Sequence, residues 1–336
     1  MSSHPTQRSR KNPPDLPPPL LVATPDELTR LQRDLADISR IAIDTESNSL
    51  FAYREQVCLI QLSTDRQDYV IDPLFLRDQS GFGFLGELFA SPQIEKVFHA
   101  AEYDVMSLRR DFGFTFTNLF DTMIAARLLG WEHLGLGSIL EERFGVTVNK
   151  RYQRADWGRR PLPPHLIRYA QLDTHYLLPL RDELYDLLKG KGQLEEAREL
   201  FDEVSEARWN RALFDPLGFW RIKGAHALDQ SGIAVLQELY LYREQQARRR
   251  DLPVFKVMGD QTLLKLAERR PPSLREMRRI PGLTEGQIQR YGVGILRAIR
   301  RGLTAPPPPP PARNGQHPGQ AVLRRFDALH AWRKER

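Results

Sequence analysis

Between Ile41 and Ile71 the apolar residues come in short runs, Ile41–Thr45, Val57–Ser63 and Asp68–Ile71, separated by short polar connections. Runs of this length predict β-strands, and the short connections predict an antiparallel meander. Upstream, "TPDELTRLQRDLADIS" predicts a helix, with Thr24 as N-cap, Pro25 at the first helical position and Glu27 closing a capping box. "FGFLGELFA" predicts a second helix and "IEKVFHA", Ile94–Ala100, a further strand. From "AEYDVMSLRRDF" onward the apolar spacing is helical, almost without interruption, to about Asn210. Antiparallel strands, then alternating helix and strand, then helices, predict an α/β fold with a mixed sheet.

"FDPLGFW" (Phe214–Trp220) carries turn residues and reads as a hinge. From Gln230 to Gly302 the pattern is helical only, with Val235, Leu236, Leu239 and Tyr242 on one face, which predicts a small all-α module. "TAPPPPPPPARNGQHPG" predicts an extended linker. The division expected is a disordered lead-in (1–20), an α/β domain (21–213), a helical domain (214–303), the linker (304–320) and a tail (321–336). In the tail, Phe326, Leu329, Trp332 and Arg333 align with Leu236, Leu239, Tyr242 and Arg243 at a constant offset. That fits either the start of a second copy of the module or an amphipathic tail helix.

Composition sharpens this division. The chain has 336 residues, 41% of them hydrophobic and 27% charged, as in a soluble globular protein. No window is long and apolar enough for a membrane span, and the N-terminus lacks the apolar core of a secretory signal. Cys58 is the only cysteine, excludes an internal disulfide and fits a reducing cytoplasm; at the centre of "VCLIQL" it reads as a packing residue. The net charge of +6 hides an asymmetry. Residues 1–215 carry 26 Lys and Arg against 33 Asp and Glu, and residues 216–336 carry 23 against 10. A basic back half suits a polyanion and an acidic front half suits cations.

The candidate chemistry begins in "RIAIDTESNSL", where an apolar run ends in Asp44 and Glu46. Residues i and i+2 of a strand share a face, so the two carboxylates would lie side by side. Such a pair is either a solvated strand end or a grip on a metal ion. Asp104 stands in the first turn of a predicted helix in "VFHAAEYDVMSL", where acids are common on dipole grounds alone. In "RYAQLDTHYLLPL", Tyr169 and Asp173 are four residues apart and share a helix face. Asp121, in "NLFDTMIAARLL", reads as a helix N-cap with a supporting role at a site as the alternative.

Taken in order, "DTE", "HAAEYD" and "YAQLD" resemble the motifs of the DEDD exonuclease superfamily, in the variant with tyrosine in the third motif. "ERFGVTVNKRYQRADWGRRPLPPHLIRYAQLDTHYLLPL" is similar to the ribonuclease D branch. "VFKVMGDQTLLKLA" and "IPGLTEGQIQRYGVGILRAI" resemble the helicase-and-RNase-D C-terminal (HRDC) domain. The resemblance covers about residues 21–303 and includes the order of the domains.

It implies a ribonuclease-H-like exonuclease domain followed by an HRDC-like helical domain. It also implies a metal-dependent 3′→5′ exoribonuclease that trims RNA 3′ ends, such as those of tRNA precursors, and releases nucleoside 5′-monophosphates. By the same resemblance Asp44, Glu46, Asp104 and Asp173 are the metal ligands, and Tyr169 takes the place of the family's general base or water-orienting residue. Phosphodiester hydrolysis needs an activated water, a stabilised leaving oxygen and cover for phosphate charge, which two divalent ions about 4 Å apart supply. Hard oxygen donors suit Mg²⁺ or Mn²⁺. A free phenol, with a pKa of about 10, is a poor base at neutral pH, hence the orienting role. Lys150, Arg151, Arg154, Arg159 and Arg160 are candidates for the substrate backbone, Leu50 and Phe51 for a wedge against the terminal base or for core packing, and His99 for substrate contact or a structural bond. Trp157 reads as packing. The arginine pairs of the helical module suit phosphate contacts. A DNA exonuclease on the same scaffold and a non-catalytic nucleic-acid adaptor are the competing readings.

Overall fold

The strands expected between Ile41 and Ile71 form the middle of a six-stranded mixed sheet, ordered β1-β4-β3-β2-β5-β6. The computed structural model describes residues 16–76, 78, 81–209, 214–310 and 319–334. These fall into two units that divide between Arg211 and Ala212. The lead-in up to residue 15 and the linker's 311–318 lie outside the described residues.

In the first unit, β2 (Arg40–Ser47), β3 (Val57–Ser63) and β4 (Asp68–Ile71) make the antiparallel meander. β5 (Glu95–Phe98) joins β2 in parallel. Two strands were not legible as such. β1 (Leu20–Val22) adds to β4 in parallel, so the chain is already tied down at Leu20, inside the expected lead-in. β6 (Leu119–Asp121) adds to β5 in parallel and interrupts the stretch expected to be helical. Each has three residues, too few to show a period.

The helix α1 (Pro25–Asp34) starts on Thr24 with the expected capping box. It is followed by α2 (Pro73–Leu76), α3 (Phe84–Ala90), α4 (Glu102–Phe112), α5 (Thr122–Leu128) and α6 (Leu136–Phe144). The unit closes with α7 (Pro164–His175), α8 (Leu177–Lys191) and α9 (Leu194–Ser205). Every residue of β3 is buried, as expected of a central strand covered on both faces. On one side Ile41, Ile43, Ile60 and Leu62 join the main core with Val105, Leu108 and Leu184. On the other, Leu59 and Val70 pack with Trp157, Leu166, Tyr169 and Ala170, so α7 lies over the face that carries Asp44 and Glu46.

In the second unit, α10 (Gln230–Arg250) packs against α14 (Glu285–Thr304) and α12 (Asp260–Arg269), with short α11 (Val254–Val257) and α13 (Leu274–Met277) between. A Cβ at Gly302 would collide with the Val235 backbone, so this glycine allows the close approach of α14 to α10. Arg243 is buried there and donates to Met258 O at 3.0 Å and to Asp260 Oδ1 at 2.7 Å. The tail forms α15 (Gln320–Lys334), on which Phe326 and Leu329 are 64% and 66% exposed.

Candidate active site

Asp44 and Glu46 stand where β2 emerges from the core, one residue apart and on one face. Just beyond them the β2–β3 register shifts, between Glu46 and Ser47, a local irregularity of the sort common beside active sites. Asp104 arrives from the first turn of α4, where the Thr45 hydroxyl donates to its Oδ1. Tyr169 and Asp173 arrive from α7. That helix is pinned to the sheet by polar bonds: Ser63 Oγ to Thr174 Oγ1 at 2.7 Å, and Asp68 Oδ2 accepting from Gln171 Nε2 at 2.6 Å. His175 Nδ1 is a further 2.8 Å partner of Asp68.

Asp44, Glu46, Tyr169 and Asp173 line one cleft of about 490 Å³, together with Thr45, His99, Ala100, Met123, Gly135, Leu136, Gly137, Val148, Lys150 and Gln153. Asp104 sits behind its wall, 6% exposed and bonded to Thr45. Burial is the first cause that holds the Asp44 carboxyl well above its ordinary range, and the neighbouring charges of Asp104, Asp173 and Glu46 add to it. Burial followed by the charges of Asp173 and Asp104 does the same at Glu46. Burial pushes Asp104 up to about 7 against the opposing bond from Thr45. Asp173 is raised by burial although the Tyr169 hydroxyl bonds to it. The Tyr169 phenol is itself raised, by burial and then by the charge of Asp173, with Gln153 as a bonding partner. Carboxylates gathered in one buried cleft oppose each other's ionisation, and added positive charge would relieve that opposition.

Among the described residues no three His, Cys, Asp or Glu side chains close into a finished cation cage. The donor set nevertheless fits Mg²⁺ or Mn²⁺. Its oxygens are hard, and Mg²⁺ is ordinarily held by a few carboxylates while water and substrate phosphate complete its shell.

The other candidates separate. Lys150 lines the cleft and is the one lysine or arginine among its lining residues. His99 also lines it, but its Nδ1 meets Thr122 Oγ1 at 2.9 Å and its ring also bonds the Leu134 backbone, the pattern of a structural histidine. Arg160 is placed elsewhere, and its candidacy for the substrate backbone is corrected here. All of its N–H groups are engaged: Nε and Nη2 with the Asp72 carboxylate, Nη1 with Trp157 O and Arg159 O, and Nη2 with Cys58 O. Leu50 and Phe51 lie in the turn after β2, and neither is among the residues lining the cleft. Trp157 is buried, 1% exposed, as expected of a packing residue. Arg151, Arg154 and Arg159 do not line the cleft. Sequence reasoning missed Met123, Val148, Gln153 and the Gly135–Gly137 helix start; the small and apolar ones carry no chemical signal that could have singled them out, and Gln153 sits among the arginines of "RYQRADWGRR", whose charge drew the reading instead.

Residues 19–189 match the family of 3′-5′ exonuclease domains, and residues 233–299 match the HRDC domain. The chain belongs to the ribonuclease D family of 3′-5′ exonucleases. Ribonuclease D of Escherichia coli, an exoribonuclease involved in structured RNA processing, shares 31% identity with it at a TM-score of 0.68, covering 93% of this chain and 83% of that one. The catalytic core of RRP6 from Trypanosoma brucei, in a mutant form, shares 30% identity at a TM-score of 0.76, covering 86% of this chain and 81% of that one. Exosome complex component 10 of Mus musculus is 35% identical over 259 residues, 75% of this chain. The chain spans only 29% of that protein, and 33% of the RRP6-like 2 protein of Arabidopsis thaliana. The first unit of this ribonuclease D relative is thus an exonuclease domain of ribonuclease-H-like fold, and the second contains the HRDC domain.

Proposed function

We propose that this protein is a divalent-metal-dependent 3′→5′ exoribonuclease that shortens the 3′ ends of structured RNAs such as tRNA precursors and releases nucleoside 5′-monophosphates. The observation that carries the reading is one cleft lined by the strand acids Asp44 and Glu46 and the helix pair Tyr169 and Asp173, with Asp104 against it. Asp44, Glu46, Asp104 and Asp173 would hold two Mg²⁺ or Mn²⁺ ions. Ions bound there supply activation of water, neutralisation of phosphate charge and stabilisation of the leaving oxygen.

The chain's own groups do the rest. Tyr169 stays protonated at neutral pH, because burial and Asp173 oppose its ionisation. It therefore serves as a hydrogen-bonding group that orients the attacking water, not as the base. Lys150 sits at the cleft wall as a cation for the substrate phosphates. The second unit holds the surplus of basic residues, with Arg249, Arg250, Arg279 and Arg300 exposed, and serves as an auxiliary RNA-binding surface.

End-labelled RNA and DNA of the same sequence, incubated with Mg²⁺ with and without chelator, test the reading. RNA is expected to shorten, faster than DNA, only without chelator. DNA degraded at the same rate would overturn the RNA preference, and chelator-resistant degradation would overturn the metal dependence.

A further inference from the structure

Gln61 is fully buried at the middle of β3, and neither its amide oxygen nor its amide nitrogen has a hydrogen-bond partner. Among the described residues no other side-chain amide is left wholly unpaired in this way. An amide brings two N–H donors and an acceptor oxygen, and buried groups of this kind are nearly always paired. Such an exception needs a physical reason.

Its position supplies one. The register sets Gln61 directly against Asp44 on β2, and against Val70 on β4. Directly opposed residues of antiparallel strands share a face, with Cβ atoms about 5 Å apart. That face is covered by α7, the helix that carries Tyr169 and Asp173. Further along β3 on the same face, the Ser63 hydroxyl bonds Thr174, the neighbour of Asp173. Gln61 does not itself line the cleft. It lies beneath it, beside the strand acid and under the helix that carries the other.

We propose that Gln61 is a positioning residue for the divalent-ion site, its amide donating to the Asp44 carboxylate directly or through one enclosed water, so that one carboxylate oxygen is held for the ions. The proposal rests on reading the acid cleft as an ion site and adds a residue to it. A carboxylate that gives one oxygen to a cation is aimed by what holds the other, and groups in that second role are worth about 10- to 100-fold in metal affinity. The unpaired amide, set against Asp44 by the strand register, then has its role when a cation is bound.

Gln61→Met removes the donors at nearly constant size. Calorimetric titration of the full chain with Mn²⁺ measures affinity, and the thermal midpoint in chelator measures the metal-free fold. The variant is expected to bind Mn²⁺ about 10- to 100-fold more weakly, with a metal-free midpoint unchanged or raised, because an unpaired buried amide is gone. Gln61→Leu gives the same test if methionine packs poorly. Unchanged Mn²⁺ affinity in a folded variant would overturn the proposal, as would an affinity loss that merely follows a lower midpoint. Failure of the wild-type chain to bind Mn²⁺ would overturn the ion site itself, and this role with it.

Discussion

The carboxylate of Asp121, at the end of β6, accepts the backbone N–H of Ala100, in the bend between β5 and α4, at 3.1 Å. It accepts three more: Ala101 N at 2.7 Å, Met123 N at 2.8 Å and Ile124 N at 3.1 Å. One buried acid therefore fixes two strand-to-helix turns, one leading to Asp104 on α4 and the other to Met123 in the cleft wall. Ala100 has a φ of 63°, left-handed backbone that costs a non-glycine residue about 1 kcal/mol. Ala100→Gly is expected to stabilise the fold by up to about 1 kcal/mol. Asp121→Ala leaves four N–H groups without their acceptor and is expected to cost roughly 3 kcal/mol. Denaturant unfolding checks both, and an Asp121→Ala protein of full stability would contradict the role given to this acid.

The acid cluster sets a pH dependence whose sign follows from its direction. Asp104 is pushed up to about 7 by burial, and Asp44, Glu46 and Asp173 are also raised. An unfolded aspartate ionises near pH 4. Between those values the folded state holds more protons, so stability is fully present below about pH 4 and falls as pH rises through 7. The metal-free protein is expected to have a lower thermal midpoint at pH 8 than at pH 6. Saturating Mn²⁺, which takes the place of the protons, is expected to raise the midpoint more at pH 8 than at pH 6. A metal-free midpoint that climbs between these pH values would contradict the buried acid cluster.

Arg160 is a structural cation, so its loss should appear in stability before it appears in RNA binding. Removing it leaves Asp72, 8% exposed, without its bidentate partner. Arg160→Met is expected to destabilise the fold by roughly 3 kcal/mol. At a temperature where the variant is folded, the salt dependence of RNA binding is expected to match the wild type. A shallower salt slope with an unchanged midpoint would return Arg160 to the substrate.

The second unit is expected to contribute affinity rather than chemistry. A chain ending at Arg211 should bind RNA more weakly, with a shallower dependence of log affinity on log salt, because phosphate contacts are lost. Its single-turnover cleavage rate at saturating enzyme should stay close to that of the full chain. Equal RNA affinity across the salt series would refute an RNA-binding role for residues 212–336.

The central meander was legible because its signal is local. Spacing puts Asp44 and Glu46 on one strand face and Tyr169 and Asp173 on one helix face, but each pair alone has an ordinary reading, and the order of the motifs makes them candidates together. Asp104 could be singled out only by motif order, since an acid in a first helical turn is ordinary. What the chain brings together over long range left less trace. β1 and β6 are too short for periodicity, and their pairing is decided by neighbours far away in sequence. Arg160 sits in a basic stretch that suggests phosphate, yet Asp72, 88 residues away, claims it. Gln61 reads as one polar residue in an apolar strand, and its pairing with Asp44 is set by register alone.

The most direct test of the central claim follows a 5′-labelled RNA, and its released mononucleotides, with the full chain and its Asp173→Asn variant in Mn²⁺. The wild type is expected to give a ladder that shortens from the 3′ end one nucleotide at a time, with nucleoside 5′-monophosphates released. Asp173→Asn should keep the fold and RNA binding and produce no ladder. Undiminished trimming by Asp173→Asn would contradict the assignment of Asp44, Glu46, Asp104 and Asp173 as the seat of the reaction.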